Sequence, residues 1–244
     1  MRAVRYRQSK IREMYTGSNR MTGVKFGVCR LGLAVSAMCL LACGHLLAGK
    51  YNPVLKISDP GPEWKSLPGI DGKKYSLDSF KKFDVLVIVF TCNSCDYAVD
   101  YEDRLVAFAR NHTGVGKRVG MVAVNVNKIP ADSLPEMKRR AEKKGFTFPY
   151  LFDATQKIAR DYGAGYTPEF FVLNKKRQVI YMGGMDDDPD ASKAKVSYLE
   201  LAVVAALDGK FPKIKETVSI GCTIRYERKR KRRSRSKKKK KKRD

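Results

Sequence analysis

The sequence predicts an α/β fold: one central mixed β-sheet flanked by helices on both faces. Three observations predict it. Asp84–Phe90 (DVLVIVF) and Val119–Val126 (VGMVAVNV) are continuous β-branched and aromatic runs, the pattern of strands covered on both faces. Each is followed by a stretch with helical spacing, as a strand–helix–strand unit requires. Glu169–Leu173 (EFFVL) and Val179–Met182 (VIYM) flank a turn at Asn174–Gln178 and read as a hairpin, which adds antiparallel neighbours.

The remaining elements follow in order. Residues 51–63 are polar and carry Pro53, Pro60 and Pro62, so they read as a linker leading to Trp64. Asp71-Gly72 marks a turn ahead of the first core strand. From Asp96 to Asn111, apolar Ala98, Tyr101, Leu105 and Phe108 recur at helical spacing. Ser133–Gly145 reads as a helix closed by its glycine. Phe148–Phe152 is a short extended segment and Thr155–Tyr162 a short helix. Ser192–Leu207 is a final amphipathic helix stopped by Gly209. No internal repeat or second domain is visible, and the globular domain is assigned to 64–226.

The formal net charge of +25 belongs to the ends of the chain. Residues 1–50 carry +8 and residues 225–244 carry +13, which leaves +4 for 51–224. The basicity therefore says little about chemistry in the domain. Leu31–Ala42 (LGLAVSAMCLLA) follows Arg20, Lys25 and Arg30. A bilayer span takes about 20 apolar residues, so this shorter run has the form of a signal-peptide core. It ends as Leu40-Leu41-Ala42-Cys43-Gly44, which resembles a bacterial lipobox with Cys43 as the lipidated residue. An ordinary signal peptide or an uncleaved anchor fits the same residues. The expectation for 1–50 is export to the periplasm or cell envelope with membrane attachment. The tail 227–244 is low complexity, self-repelling and expected to be disordered. Anionic lipid headgroups or a cell-surface polymer fit it, as does a solvated tail with no specific partner. Specific nucleic-acid binding is not expected of an exported chain.

Cys92-Asn93-Ser94-Cys95 carries the chemistry. A strand feeding a helix through C-x-x-C puts one sulfur at the helix N-terminus, where backbone N–H groups favour a thiolate, and the other close enough to form a small disulfide ring. A zinc site needs about four ligands, and the domain offers only Cys222 and His112 besides the pair. The residues therefore favour redox chemistry over metal, and no cofactor is expected. Cu(I) held by the paired thiolates, in a delivery or scaffold protein, is the non-enzymatic alternative.

The element order, the C-x-x-C after the first core strand and Thr167-Pro168 before a late strand resemble the thioredoxin-like fold. More narrowly, FTCNSCDY (90–97), VAVNVN (122–127), 130–174, YMGGMDDD (181–188) and ETVSIGCTIRY (216–226) resemble the peroxiredoxin-like or redoxin (AhpC/TSA-type) branch of bacterial thioredoxin-family proteins. The resemblance implies a thiol–disulfide oxidoreductase. Cys92 is then the nucleophile and Cys95 the resolving thiol. Pro168 follows a cis bond, and Thr167 pairs through its backbone with an extended substrate on an exposed face. Its partners would be protein or small-molecule disulfides and a redox partner. A thiol peroxidase is the alternative within the branch, although Thr91 adjoins Cys92 and no proline precedes it.

The sequence departs from the branch at Ser94, where histidine is common, and at Asp96, where proline is common. A carboxylate at Asp96 favours the helix dipole and raises a nearby thiol. The acid that many thioredoxins bury shortly before the motif has no equivalent in the strand. Cys222, beside Ile220 and Ile224, reads first as a small buried hydrophobe; a third sulfur that relays electrons or pairs with another protein is the alternative, and the resemblance carries a cysteine here too. Asp186–Asp188 and Asp190 read as a solvated turn, since calcium loops alternate their ligands. His112 has no identifiable partner, and Trp64 and Tyr97 read as core or rim aromatics.

Overall fold

A computed structural model describes residues 49–227. Cys43 and the tail beyond Glu227 lie outside the described residues, so the expectations placed on them stay with the sequence. No helix among the described residues is long and apolar enough to cross a membrane.

The centre is a five-stranded sheet. Its strands are β3 (Val85–Phe90), β4 (Val119–Asn125), β5 (Tyr150–Phe152), β7 (Glu169–Leu173) and β8 (Val179–Gly183), ordered β5-β4-β3-β7-β8. β3, β4 and β5 run parallel, while β7 and β8 are antiparallel additions. Two small ribbons flank it: β1 (Leu67–Pro68) with β2 (Lys74–Tyr75), and β6 (Tyr166–Thr167) with β9 (Cys222–Thr223).

Strand alternation explains the two layers of core. Val85, Val87 and Val89 point to one face, where α2 (Glu102–His112), α3 (Leu134–Lys144) and α5 (Tyr198–Leu207) cover them with Leu105, Phe108, Met137, Leu199 and Val203. Leu86, Ile88 and Phe90 point to the other face, against Trp64, Phe80 and α4 (Lys157–Tyr162) through Ile158 and Tyr162. Each fully buried side chain of this size contributes about 1.5–3 kcal/mol. α3 ends where Gly145 turns left-handed at φ 68°, a conformation open to glycine without a Cβ penalty.

The helix expected over 96–111 is two segments, α1 (Asp96–Asp100) and α2, meeting at Tyr101. The helix expected from Ser192 begins at Tyr198. Side chains capture the intervening amides: Ser192 N–H donates to Asp190, and the Lys195 and Val196 N–H groups donate to Asp187. Ser197 then caps α5 by accepting from Glu200 N–H.

Residues 51–63 form no free linker. Asn52 donates from Nδ2 to the Tyr162 carbonyl at 2.8 Å and accepts from the Val54 and Leu55 amides. Ser58 and Asp59 exchange backbone hydrogen bonds with Val179 along the outer edge of β8, and Gly61 N–H donates to Arg177. Further along that edge, Met182 N–H donates to Lys215 and Thr217 N–H donates to Met182. At the opposite edge, Ile70 N–H donates to the Tyr150 carbonyl of β5.

Candidate active site

β3 delivers Cys92 at the C-terminal end of the sheet, and Cys95 is the residue that caps α1. Cys95 Sγ accepts from Ala98 N–H at 3.4 Å. The helix begins at Asp96, so the sulfur that gains its N-terminal amides is the second of the pair rather than Cys92. The Thr167–Pro168 bond is cis. Cys92 Sγ lies 3.4 Å from Thr167 Oγ1, and Cys95 Sγ lies 3.1 Å from the Thr167 carbonyl oxygen, to which its protonated form donates. The four residues singled out in sequence, 76 positions apart at most, thus share one site.

The sulfurs are less open than the sequence suggests. Cys92 is 2 % exposed, Cys95 1 % and Thr167 2 %. The reason is β9, which pairs antiparallel with β6 and sets Cys222 opposite Thr167. Cys222 is half-buried against Cys92, Cys95 and Ala98. The small buried hydrophobe expected at Cys222 is thus half-buried and packed on the pair itself.

The two thiols of the pair ionise in opposite senses. Cys92 is raised by its hydrogen bond with Cys95, by burial and by the charge of Asp132. Cys95 is lowered to about 5, first by the hydrogen bond from Cys92, with further help from Cys222, Ala98 N–H and Thr167. One S–H held between two sulfurs produces this split: the first proton leaves readily, and the second is retained.

Asp132, fully buried, comes from the short 3₁₀ turn Pro130–Asp132 between β4 and α3. It accepts from Asn93 N–H at 2.7 Å, from the Ser94 hydroxyl at 2.5 Å and from Asn125 Nδ2 at 3.0 Å. The Ser94 hydroxyl also reaches Cys92 Sγ at 3.8 Å. Asp132, rather than Asp96, is the carboxylate whose charge raises Cys92, and it supplies a buried acid from the turn after β4 rather than from β3. Tyr150 completes this side: its hydroxyl donates to Asn93 Oδ1 and accepts from Asn125, and burial holds it well above the ordinary phenol range.

Residues 57–182 match the AhpC/TSA family. The chain belongs to that family. Two solved structures are similar over most of their own length. A hypothetical protein of Sinorhizobium meliloti is 31 % identical, with 72 % of this chain and 97 % of that chain covered at a TM-score of 0.65. An uncharacterized conserved protein of Geobacillus kaustophilus is 31 % identical, with 72 % and 95 % covered at 0.66. No curated protein matches. As an AhpC/TSA member with this sheet order, the protein is a thioredoxin-like redoxin, and its function is thiol redox chemistry in the general sense.

Other residues of this AhpC/TSA protein differ from their sequence readings. Glu169, buried at the start of β7, accepts from Gly165 and Tyr166 N–H at 2.7 and 3.0 Å and so fixes the loop before Pro168. Burial raises its carboxyl, and those two amides oppose the rise. Its signal in the sequence is a charge opening an apolar strand. Asn125 within VAVNV is the corresponding signal for the Asp132 network. Asp186 is no solvated turn residue: it accepts from Tyr101 OH and Arg104 Nη1, each at 2.7 Å. His112 Nε2 lies 2.9 Å from Glu200 Oε1. Trp64 is a core residue, whereas Tyr97 is exposed. Among the described residues, no group of three or more His, Cys, Asp or Glu is arranged to hold a metal ion.

Proposed function

We propose that the protein is a thiol–disulfide oxidoreductase with Cys92 as nucleophile and Cys95 as resolving thiol. One observation carries this reading: both sulfurs lie within 3.4 Å of Thr167 atoms at the cis-Pro loop, one on its hydroxyl and one on its carbonyl. The pair's shared proton crosses to Cys95 as Cys92 becomes the thiolate. Cys92 attacks one sulfur of a substrate disulfide, a Cys92–substrate bond forms, and the other substrate sulfur leaves with a proton from the medium. Cys95 then loses its proton and attacks Cys92. The Cys92–Cys95 disulfide forms, and the second substrate sulfur leaves reduced. The Ala98 N–H supports Cys95 as an anion at that step. The Ser94 hydroxyl and Asp132 form a chain along which the Cys92 proton can be handed.

A thiol peroxidase is the second reading, and the AhpC/TSA match favours it. Reduced protein mixed with insulin disulfides, and separately with hydrogen peroxide, distinguishes the two. Catalytic insulin reduction with only stoichiometric loss of peroxide is the expected result. Turnover of peroxide without turnover of insulin would overturn the first reading. We further propose that residues 1–50 direct export, with Cys43 as a lipid attachment point, and that 227–244 contacts anionic headgroups.

A further inference from the structure

The segment after α5 is laid down like a strap. At one end Thr217 N–H donates to Met182, and Thr217 Oγ1 accepts from Gly184 N–H at 2.9 Å. At the other end Arg225 N–H donates to Asn127 Oδ1, and the Arg225 carbonyl accepts from Gln156 Nε2. Glu227 N–H donates to Gln156 Oε1 at 2.8 Å, and Tyr226 OH donates to the Ala164 carbonyl at 2.7 Å. Between these anchors, residues 218–223 cross the cis-Pro loop and pair with it as β9. The approach is close enough that a Cβ on Gly221 would stand 2.2 Å from the Thr167 carbonyl oxygen. Val218 and Ile220 stay exposed, and the buried Ser219 hydroxyl has no hydrogen-bond partner, so the crossing is held less firmly than its ends.

The strap thus occupies the edge of Thr167 at which an extended substrate strand would pair, and it carries a cysteine there. The Cys222 side chain packs against Cys95, and the amides of Asp96 and Tyr97 favour its anion. Burial and the neighbouring Cys95 sulfur raise Cys222 above the ordinary thiol range in the reduced protein. Once Cys95 enters a disulfide, its restraint on Cys222 ionising is lifted.

We propose that Cys222 is a third redox sulfur, and that its strand is a tethered disulfide partner to which the Cys92–Cys95 bond is passed. The proposal rests on the dithiol reading above. The Cys222 thiolate attacks Cys95 Sγ, a Cys95–Cys222 bond forms, the Cys92–Cys95 bond breaks, and Cys92 takes the electron pair and the proton given up by Cys222. The exchange involves no net oxidation, because the disulfide substrate has already accepted the two electrons. External protein substrates must then displace the strap, or collect their disulfide from it.

The test uses the full chain, reduced and then exposed to oxidised glutathione, alkylated, digested without reduction and mapped by mass spectrometry. The expected result is a Cys95–Cys222 link beside Cys92–Cys95. The link should vanish in Cys95→Ser. In Gly221→Ala, whose new methyl forces the strap off Thr167, it should fall severalfold while Cys92–Cys95 persists. A Cys92–Cys95 disulfide with Cys222 fully alkylated, or Cys222 linked to Cys92 alone, would overturn the proposal. Absence of both the Cys92–Cys95 and the Cys95–Cys222 disulfides would overturn the dithiol reading itself, and this inference with it.

Discussion

The Ser94 hydroxyl donates to Asp132 at 2.5 Å while its oxygen lies 3.8 Å from the Cys92 sulfur. That hydroxyl joins a thiol to a buried carboxylate. Its consequences can be measured.

Asp132→Asn removes a negative charge from beside Cys92, so the Cys92 thiol should ionise at lower pH than in the parent. It also breaks the hydrogen-bonded chain from Ser94 to Asp132, and turnover should fall by about 100-fold, the lower end of general acid–base contributions. Alkylation rates against pH, together with insulin turnover, check both effects. A parent-like Cys92 titration would dismiss Asp132 as its electrostatic partner.

Ionisation of the reduced pair should be split. Because Cys95 is lowered to about 5, one thiolate should form as pH rises through that value. Cys92, shifted upward, should stay protonated well past the ordinary thiol range. Exchange with small disulfides should therefore fade as pH drops below about 5. Thiolate ultraviolet absorbance follows each step; a single two-thiol transition at the ordinary value would contradict the shared proton.

Cys92→Ser should abolish insulin reduction, and Cys95→Ser should accumulate mixed disulfides visible on a non-reducing gel. Full activity of the first variant, or a clean monomer band for the second, would reverse the assigned roles.

Leu105→Ala tests the packing that carries α2. Leu105 is fully buried between β3 and the helices of that face. Its truncation should cost about 2–5 kcal/mol, read as a lowered urea midpoint with an unchanged slope. A loss below the noise of that measurement would mean that the layer closes over the cavity.

Removing 228–244 should weaken binding to anionic vesicles and leave insulin reduction intact. The difference should shrink in high salt, where the screening length falls to about 3 Å at 1 M. Equal vesicle binding by both forms would dispose of the tail's proposed role.

β3, β4 and the β7–β8 hairpin were legible because strands buried on both faces write themselves as unbroken apolar runs. Cys92, Cys95, Thr167 and Pro168 were legible as a set because each adjoins such a run. Asp132 was not, since its burial depends on Asn125, Asn93 and Ser94 arriving from other elements. β9 was equally hidden: a two-residue strand has no period to read, and its partner lies 55 positions earlier. The late start of α5 was obscured because Asp187 and Asp190 compete for amides that helical spacing alone assigns to the helix.

The segments along β8 and β5 bear on how copies of this molecule can meet. Ser58, Asp59, Lys215 and Thr217 take up hydrogen-bonding positions on the outer side of β8, and Ile70 does so beside β5. Neither margin of the sheet, among the described residues, offers a neighbouring chain a long run of idle amides and carbonyls. Self-association must therefore rely on side-chain faces or loops, and head-on growth into a continuous ribbon of sheets is blocked at both sides.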